Sequence, residues 1–253
     1  MDYETIIYES QGPVGVVTLN RPQCLNAANQ AMGRELKRLF TERLDDLETR
    51  VLIVTGAGRG FCSGLDMKES LANVPPGGYS PKLAYERQRS FSDIILLMRR
   101  IPQPIIAAIN GPAAGVGFSL ALASDVRYAA KEARFSAAYI NIGVGGADLG
   151  SSWLFPRAVG TANAARYLLT GDLFDAQEAL RMGMVSAVFD REKLREEAMK
   201  LAQIMVSKSP LGLRLTKEAL DLNAGSATLE DAIRLEDRNQ AMCIAQLTAG
   251  GQK

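Results

Sequence analysis

Apolar positions along the chain follow two periods. Residues 5–8 and 14–19 are rich in β-branched side chains, and Gln11-Gly12-Pro13 between them predicts a turn joining two adjoining strands. After Asn20-Arg21-Pro22 the spacing changes. Met32, Leu36, Leu39, Phe40, Leu44 and Leu47 recur at helical intervals, which predicts an amphipathic helix over 29–47. Residues 51–55 form a short, wholly apolar run that ends in Gly56-Ala57-Gly58, and 105–109 repeats the design before Asn110-Gly111-Pro112. Runs of this kind suit parallel strands covered on both faces. A helix is expected between them over 83–100, after a loop containing Val74-Pro75-Pro76-Gly77-Gly78, and another strand over 125–130. Beyond it the pattern turns helical, over 162–169, 176–182, 191–207, 210–222 and 229–245.

Strands alternating with helices predict an α/β fold whose parallel sheet is joined by crossover helices. At 253 residues the chain is long enough for one large domain with a sizeable core. The switch to helices divides it into a core over 1–195 and a C-terminal helical region over 196–253, a lid or an oligomer contact.

Composition narrows the chemistry. With 29 Lys+Arg against 28 Asp+Glu, no charge surplus favours nucleic acid or an anionic membrane surface, and neither is expected as a partner. Cys24, Cys62 and Cys243 are odd in number and far apart, which fits a reducing compartment better than a disulfide framework. The start, Met1-Asp2-Tyr3-Glu4, lacks the basic-then-apolar pattern of a signal peptide, and no apolar run approaches membrane-spanning length, so a cytoplasmic protein is expected. The chain has no histidine at all. That excludes Ser-His-Asp and Cys-His mechanisms, makes a zinc site untenable, and leaves Asp, Glu, Tyr, Lys or Cys for acid and base work.

Two strand-to-helix junctions are candidates for a site: Gly58-Arg59-Gly60-Phe61-Cys62-Ser63-Gly64-Leu65-Asp66-Met67 and Asn110-Gly111-Pro112-Ala113-Ala114-Gly115-Val116-Gly117-Phe118-Ser119. Each joins the C-terminal end of a buried strand to small residues and a helix N-terminus, where free backbone N–H groups can face an anionic oxygen. Two such donors converging on one oxygen make an oxyanion hole. Neither junction carries the Gly-Lys-Ser/Thr of a phosphate loop or a full dinucleotide fingerprint.

Beyond the junctions, the chain carries Leu19-Asn20-Arg21-Pro22 with Leu25-Asn26-Ala27, Pro104-Ile105-Ile106-Ala107-Ala108-Ile109-Asn110-Gly111, Leu154-Phe155-Pro156-Arg157 with Gly160, and Leu169-Thr170-Gly171. This series resembles the crotonase (enoyl-CoA hydratase/isomerase) superfamily over nearly the whole length. The resemblance implies a crotonase-like spiral of ββα units with a C-terminal helical region, assembled as homotrimers or dimers of trimers. It implies an acyl-CoA substrate, with CoA entering only as part of that substrate and no separate cofactor or metal. The backbone N–H groups of Ser63 and Val116 are expected to hold the thioester oxygen, and Cys24 and Gly64-Leu65-Asp66-Met67 to contact the CoA moiety. Asp66 has a competing role as a helix cap. Cys62 reads as a packing residue, since no base lies beside it in sequence.

Hydratases of this superfamily carry two glutamates that activate water. The resemblance places them here at Ser119 and Tyr139, neither of which is a base near neutral pH. The replacement is Asp148, in Gly143-Val144-Gly145-Gly146-Ala147-Asp148-Leu149-Gly150, a loop in which dienoyl-CoA isomerases and chlorobenzoyl-CoA dehalogenases carry a functional aspartate. Asp148 is either a proton carrier or a cap on a helix near 151–155. Tyr139, Ser119 and Asn141 are candidate pocket or substrate contacts. The expected activity is isomerisation or hydration of an unsaturated acyl-CoA. A catalytically silent CoA-ester binder or assembly subunit is the alternative, and an aryl-CoA dehalogenase, which needs a histidine, is a minor one.

Overall fold

The computed structural model describes residues 3–250; Met1 and Asp2 of the start, and 251–253 of the expected C-terminal region, lie outside the described residues. β1 (Ile6–Gln11) and β2 (Val14–Leu19) form an antiparallel hairpin in which Gln11 faces Val14. α1 (Gln30–Glu42) leads to β3 (Val51–Gly56), which runs parallel to β2. Then come α2 (Met67–Ala72), α3 (Pro81–Arg100), β4 (Ile105–Ile109), β5 (Ala113–Ala114), α4 (Val116–Ala123), β6 (Val126–Ala130) and β7 (Arg134–Ser136). α5 (Ser151–Val159), α6 (Thr161–Thr170), β8 (Phe174–Asp175), α7 (Ala176–Arg181) and β9 (Ala187–Phe189) follow. The chain finishes in three helices, α8 (Arg191–Val206), α9 (Pro210–Asn223) and α10 (Leu229–Gly250).

The large sheet has the order β1-β2-β3-β4-β6-β9, and a small one has the order β5-β7-β8. Three turns of the chain leave a strand of the large sheet and step through or beside the small one before the next helix. β4 passes to β5 and α4, β6 passes to β7, and β3 passes to Cys62, which bridges Ala113 in parallel before α2. This is the spiral of ββα units that the resemblance implied. The small sheet was not foreseen, because strands of two or three residues are too short to carry a period.

The apolar runs alternate between two cores. Val17 and Leu19, Leu52 and Val54, and Ile105, Ala107 and Ile109 point into the larger core. Val14 and Val16, Val51 and Ile53, and Ile106 and Ala108 point into a second one, closed by Leu194, Ala198 and Ala202 at four-residue spacing on α8. A strand buried on both sides needs no polar face. The expected start of the helical region at 196 falls inside α8, a helix that this sheet face needs for cover.

The helix expected over 29–47 stops at Glu42. Asp46 accepts from the backbone N–H groups of Glu48 and Thr49 and pairs with Arg43, offering the chain a tight turn in place of further helix. Leu47 is exposed in consequence. Further on, Lys217 of α9 reaches into the core, where its Nζ donates to the carbonyls of Met98 and Gln103 and pairs with Asp125 at 2.9 Å. All three donors are used, which is what a buried ammonium requires. Among the described residues no helix is long and apolar enough to cross a membrane.

Two buried amides tie the loop after β3 to its neighbours. Asn26 Nδ2 donates to the carbonyls of Ala57 and Gly60, and Asn110 Nδ2 donates to Gly56 and Gly58 at 2.9 Å each, while Asn110 Oδ1 accepts from the Gly56 N–H. Asn110→Ala strands these backbone groups without partners. It should lower the unfolding free energy by about 2–3 kcal/mol, measured by urea denaturation followed by circular dichroism.

Candidate active site

The two junctions named from the sequence lie side by side. The Cys62 N–H donates to the Pro112 carbonyl at 3.0 Å, and the Ala114 N–H donates to the Cys62 carbonyl at 2.9 Å. Beyond this short parallel pairing, small residues bring the backbones close. A Cβ on Gly115 would stand 3.6 Å from the Gly64 Cα, and one on Gly117 would collide with the Cys62 carbonyl at 2.1 Å. Gly115 also has φ +49° and ψ −115°, a conformation that glycine adopts freely and other residues avoid.

A second bridge, between Ala28 and Leu65, decides which N–H group of the first junction is free. The Gly64 carbonyl accepts from Ala28 N–H at 2.7 Å and the Asp66 N–H donates to the Ala28 carbonyl at 2.8 Å. In the planar trans peptide between Gly64 and Leu65 the N–H points opposite to the carbonyl, so the Leu65 N–H turns away from Ala28. It meets no acceptor among the described residues. The Val116 N–H, first in α4, is likewise without one, as the opening groups of a helix are.

Ser63 differs from its expected role. Its N–H donates to the Leu25 carbonyl at 3.0 Å and its hydroxyl to the Cys24 carbonyl at 3.2 Å. Leu25 and Asn26 are both left-handed, with φ 52° and 57°, and the tight turn they form presents the Leu25 carbonyl to Ser63. The Ser63 donor is spent inside the fold, and Leu65 presents the free N–H two residues later.

Leu65 and Val116 line one cavity of about 230 Å³, together with Ser63, Gly64 and Met67 from the first junction and Gly115 from the second. Gln88 and Phe91 of α3, then Tyr139, Ile142, Val144, Asp148 and Leu149, complete most of the wall. Among the described residues, Asp148 is the one carboxylate in that lining. Oδ1 of Asp148 accepts from the Leu149 N–H at 2.7 Å and from the Gln88 side-chain amide. Burial pushes the carboxyl above the ordinary carboxylate range, with these two hydrogen bonds pulling the other way.

The capping alternative for Asp148 is not realised through its carboxylate. Gly150 stands at the N-cap of α5 with no side-chain cap bond, and Ser151 Oγ instead accepts from the Asp148 N–H at 3.0 Å. Ser119 and Tyr139, where the resemblance places the two glutamates, are hydrogen-bonded to each other at 2.6 Å. Tyr139 lines the cavity, while Ser119 is wholly buried behind it. Burial pushes the Tyr139 phenol upward, and its hydroxyl donates to the Gly115 carbonyl at 2.7 Å.

The remaining candidates divide. Met67 reaches the cavity. Asp66 does not: it caps α2 by accepting from the Glu69 N–H at 3.1 Å and pairs with Arg21 at 2.8 Å, which holds its carboxyl below the usual range. Cys24 lies outside the lining, with its thiol on the Arg21 carbonyl. Asn141 is tied to the Gly171 carbonyl at 3.0 Å, away from the cavity. Cys62 is buried, its thiol pushed up to about 11, which suits packing and not attack. Gln88 and Phe91 were missed, because helical periodicity marks a core face without saying which turn of it meets a pocket.

The enoyl-CoA hydratase/isomerase family model matches residues 9–251. A Mycobacterium leprae relative named a probable enoyl-CoA hydratase is 41% identical over 90% of this chain and 78% of its own length. The 1,2-epoxyphenylacetyl-CoA isomerase of Escherichia coli is 36% identical, over 92% of this chain and 87% of that protein. In three dimensions, the enoyl-CoA hydratase of Bacillus anthracis superposes with a TM-score of 0.89 at 30% identity, over 96% of this chain and 92% of that one. The chain therefore belongs to the crotonase superfamily, and within it to the enoyl-CoA hydratase/isomerase family. It is an acyl-CoA enzyme of that type.

The raised carboxyl has a consequence for stability. A carboxyl held above its unfolded value favours the folded state while protonated, and that contribution is lost as pH rises through the folded pKa. Asp148→Asn keeps both hydrogen bonds and removes the ionisation. The variant should be more stable than the native chain at neutral pH, with the advantage gone below about pH 3, as urea denaturation at the two pH values will read.

Proposed function

We propose that the chain shifts a double bond in an unsaturated acyl-CoA, with the Leu65 and Val116 N–H groups holding the thioester oxygen and Asp148 carrying the proton. The observation that carries this reading is that the only carboxylate among the described lining residues shares one small cavity with the two unpaired N–H groups. With the carbonyl oxygen on both donors, loss of a proton from the α or γ carbon leaves an enolate whose charge they stabilise. Asp148 takes that proton and returns it at the other end of the conjugated system. A half-buried carboxyl with a raised pKa is suited to both halves of the task, and Gln88 with the Leu149 N–H orients it. Apolar Phe91, Ile142, Val144 and Leu149 make a wall for the acyl chain, and Met67, an exposed lining residue, is the contact assigned to the CoA moiety.

Hydration asks for a second acid or base to orient water, and the two positions that would supply it hold hydroxyls bonded to each other. The Escherichia coli relative is itself named as an isomerase. No separate cofactor enters the reaction. Leu220, Leu222, Leu229, Ile233 and Leu247 on α9 and α10 are exposed in the single chain, and this apolar face supports burial in a homotrimer or dimer of trimers.

In heavy water, the native protein should exchange α or γ protons of an enoyl-CoA, and Asp148→Asn should lose this by about 10²–10⁴-fold while still binding the ester. Binding of enoyl-CoA esters without exchange or turnover, across a range of chain lengths, would overturn the reading in favour of a silent binder. Val116→Pro tests the donor pair. Proline is tolerated at the first position of a helix, so the fold should persist while exchange falls by about 10²–10³-fold.

A further inference from the structure

We propose that Tyr139, backed by Ser119, is a positioning residue that orients and polarises the Gly115–Val116 peptide, so that its N–H meets the thioester oxygen. The proposal rests on the oxyanion-hole reading above.

Three observations carry it. First, the Tyr139 hydroxyl donates to the Gly115 carbonyl at 2.7 Å, and this carbonyl belongs to the same peptide unit as the Val116 N–H. The peptide is trans and planar, so a donor fixed on the carbonyl aims the N–H in the opposite direction. Second, the phenol has a single proton and spends it on Gly115. The 2.6 Å contact with Ser119 is therefore a bond donated by the Ser119 hydroxyl, whose other neighbour, the Asp148 carbonyl, is farther at 3.4 Å. Third, both residues are buried, Ser119 completely, so water does not compete for either hydroxyl.

The order Ser119 O–H to Tyr139 O–H to Gly115 C=O, and onward through the peptide to the Val116 N–H, is a chain in which each bond polarises the next. Its far end is the oxygen on which charge develops. Local backbone preference does not set the orientation by itself, since glycine at positive φ tolerates several values of ψ. The Ser119 N–H also donates to the Gly115 carbonyl, at 3.0 Å, as the first turn of α4 requires. Tyr139 fills the second lone pair from a different part of the chain, just after β7. Its ring lies against Gly115, with Cε1 3.7 Å from where a Cβ would stand. The two hydroxyls thus occupy the place of an acid pair and serve the hole. Tyr139 moves no proton itself, since its own is committed to a carbonyl.

The test reads polarisation separately from turnover. Butanoyl-CoA labelled with carbon-13 at the thioester carbonyl, an ester with no double bond to shift, is bound to the protein and its carbonyl band followed by isotope-edited infrared spectroscopy. The native protein should move the band to lower frequency. Tyr139→Phe should bind butanoyl-CoA as tightly, lose most of the displacement, and exchange enoyl-CoA protons about tenfold more slowly. A native-sized displacement in Tyr139→Phe would overturn the inference and leave the oxyanion hole standing. No displacement in the native protein would overturn the hole itself, and the inference with it. If the phenylalanine variant does not fold, Ser119→Ala keeps the tyrosine and reads the same band: a partial loss supports the relay, and an unchanged band overturns it.

Discussion

The site depends on the short parallel pairing of two loops around Cys62 and Ala113. Three backbone hydrogen bonds across it, from Phe61 and Cys62 to Pro112 and from Ala114 to Cys62, bring together the C-terminal ends of β3 and β4, which their own sheet already places side by side. Leu65 is free because a second bridge, to Ala28, takes the Gly64 carbonyl and the Asp66 N–H on either side of it, and Val116 is free because it opens α4. Gly117 matters because the approach leaves no room for a Cβ, Gly64 and Gly115 because each takes a positive φ, and Asn26 and Asn110 because loops so close together bury carbonyls that must find donors.

Around that frame the electrostatics are economical. Two N–H groups without acceptors and, among the described lining residues, a single carboxylate share one cavity, the carboxyl lifted by burial and held by Gln88 and the Leu149 N–H. A second carboxylate beside Asp148 would repel it and be costly to bury. Ser119 and Tyr139, where the resemblance places the glutamate pair, have hydroxyls that satisfy each other and then the backbone. The C-terminal part is held by charge of another kind: Lys217 and Arg99 share Asp125, which ties α9 to the ends of α3 and β6.

Much of this was legible in order along the chain. Apart from α5, every long strand and helix outside the junctions was visible in the periodicity, and the motifs identified the family and located both junctions. Where the reading went astray, short-range chemistry outweighed pattern. The helix over 29–47 ended early because Asp46 offered a competing turn. Ser63 was expected to present the free donor, but the left-handed Leu25 turned a carbonyl onto it. Asn141 was placed at the site by type and neighbourhood, and its side-chain amide proved to be bonded to the Gly171 carbonyl.

The sequence by itself determined the α/β class, the superfamily, the two glycine-rich junctions and the absence of any imidazole chemistry, because these follow from residue type and spacing. Only the tertiary structure decided which N–H at the first junction is free, which wall Asp148 joins, and that Ser119 and Tyr139 bond to each other. The physical reason is that a hydrogen-bonding group acts at a site only if nothing nearer satisfies it. Which groups are near is a property of the packed chain: Leu25 lies 38 positions from Ser63, and Gln88 lies 60 from Asp148.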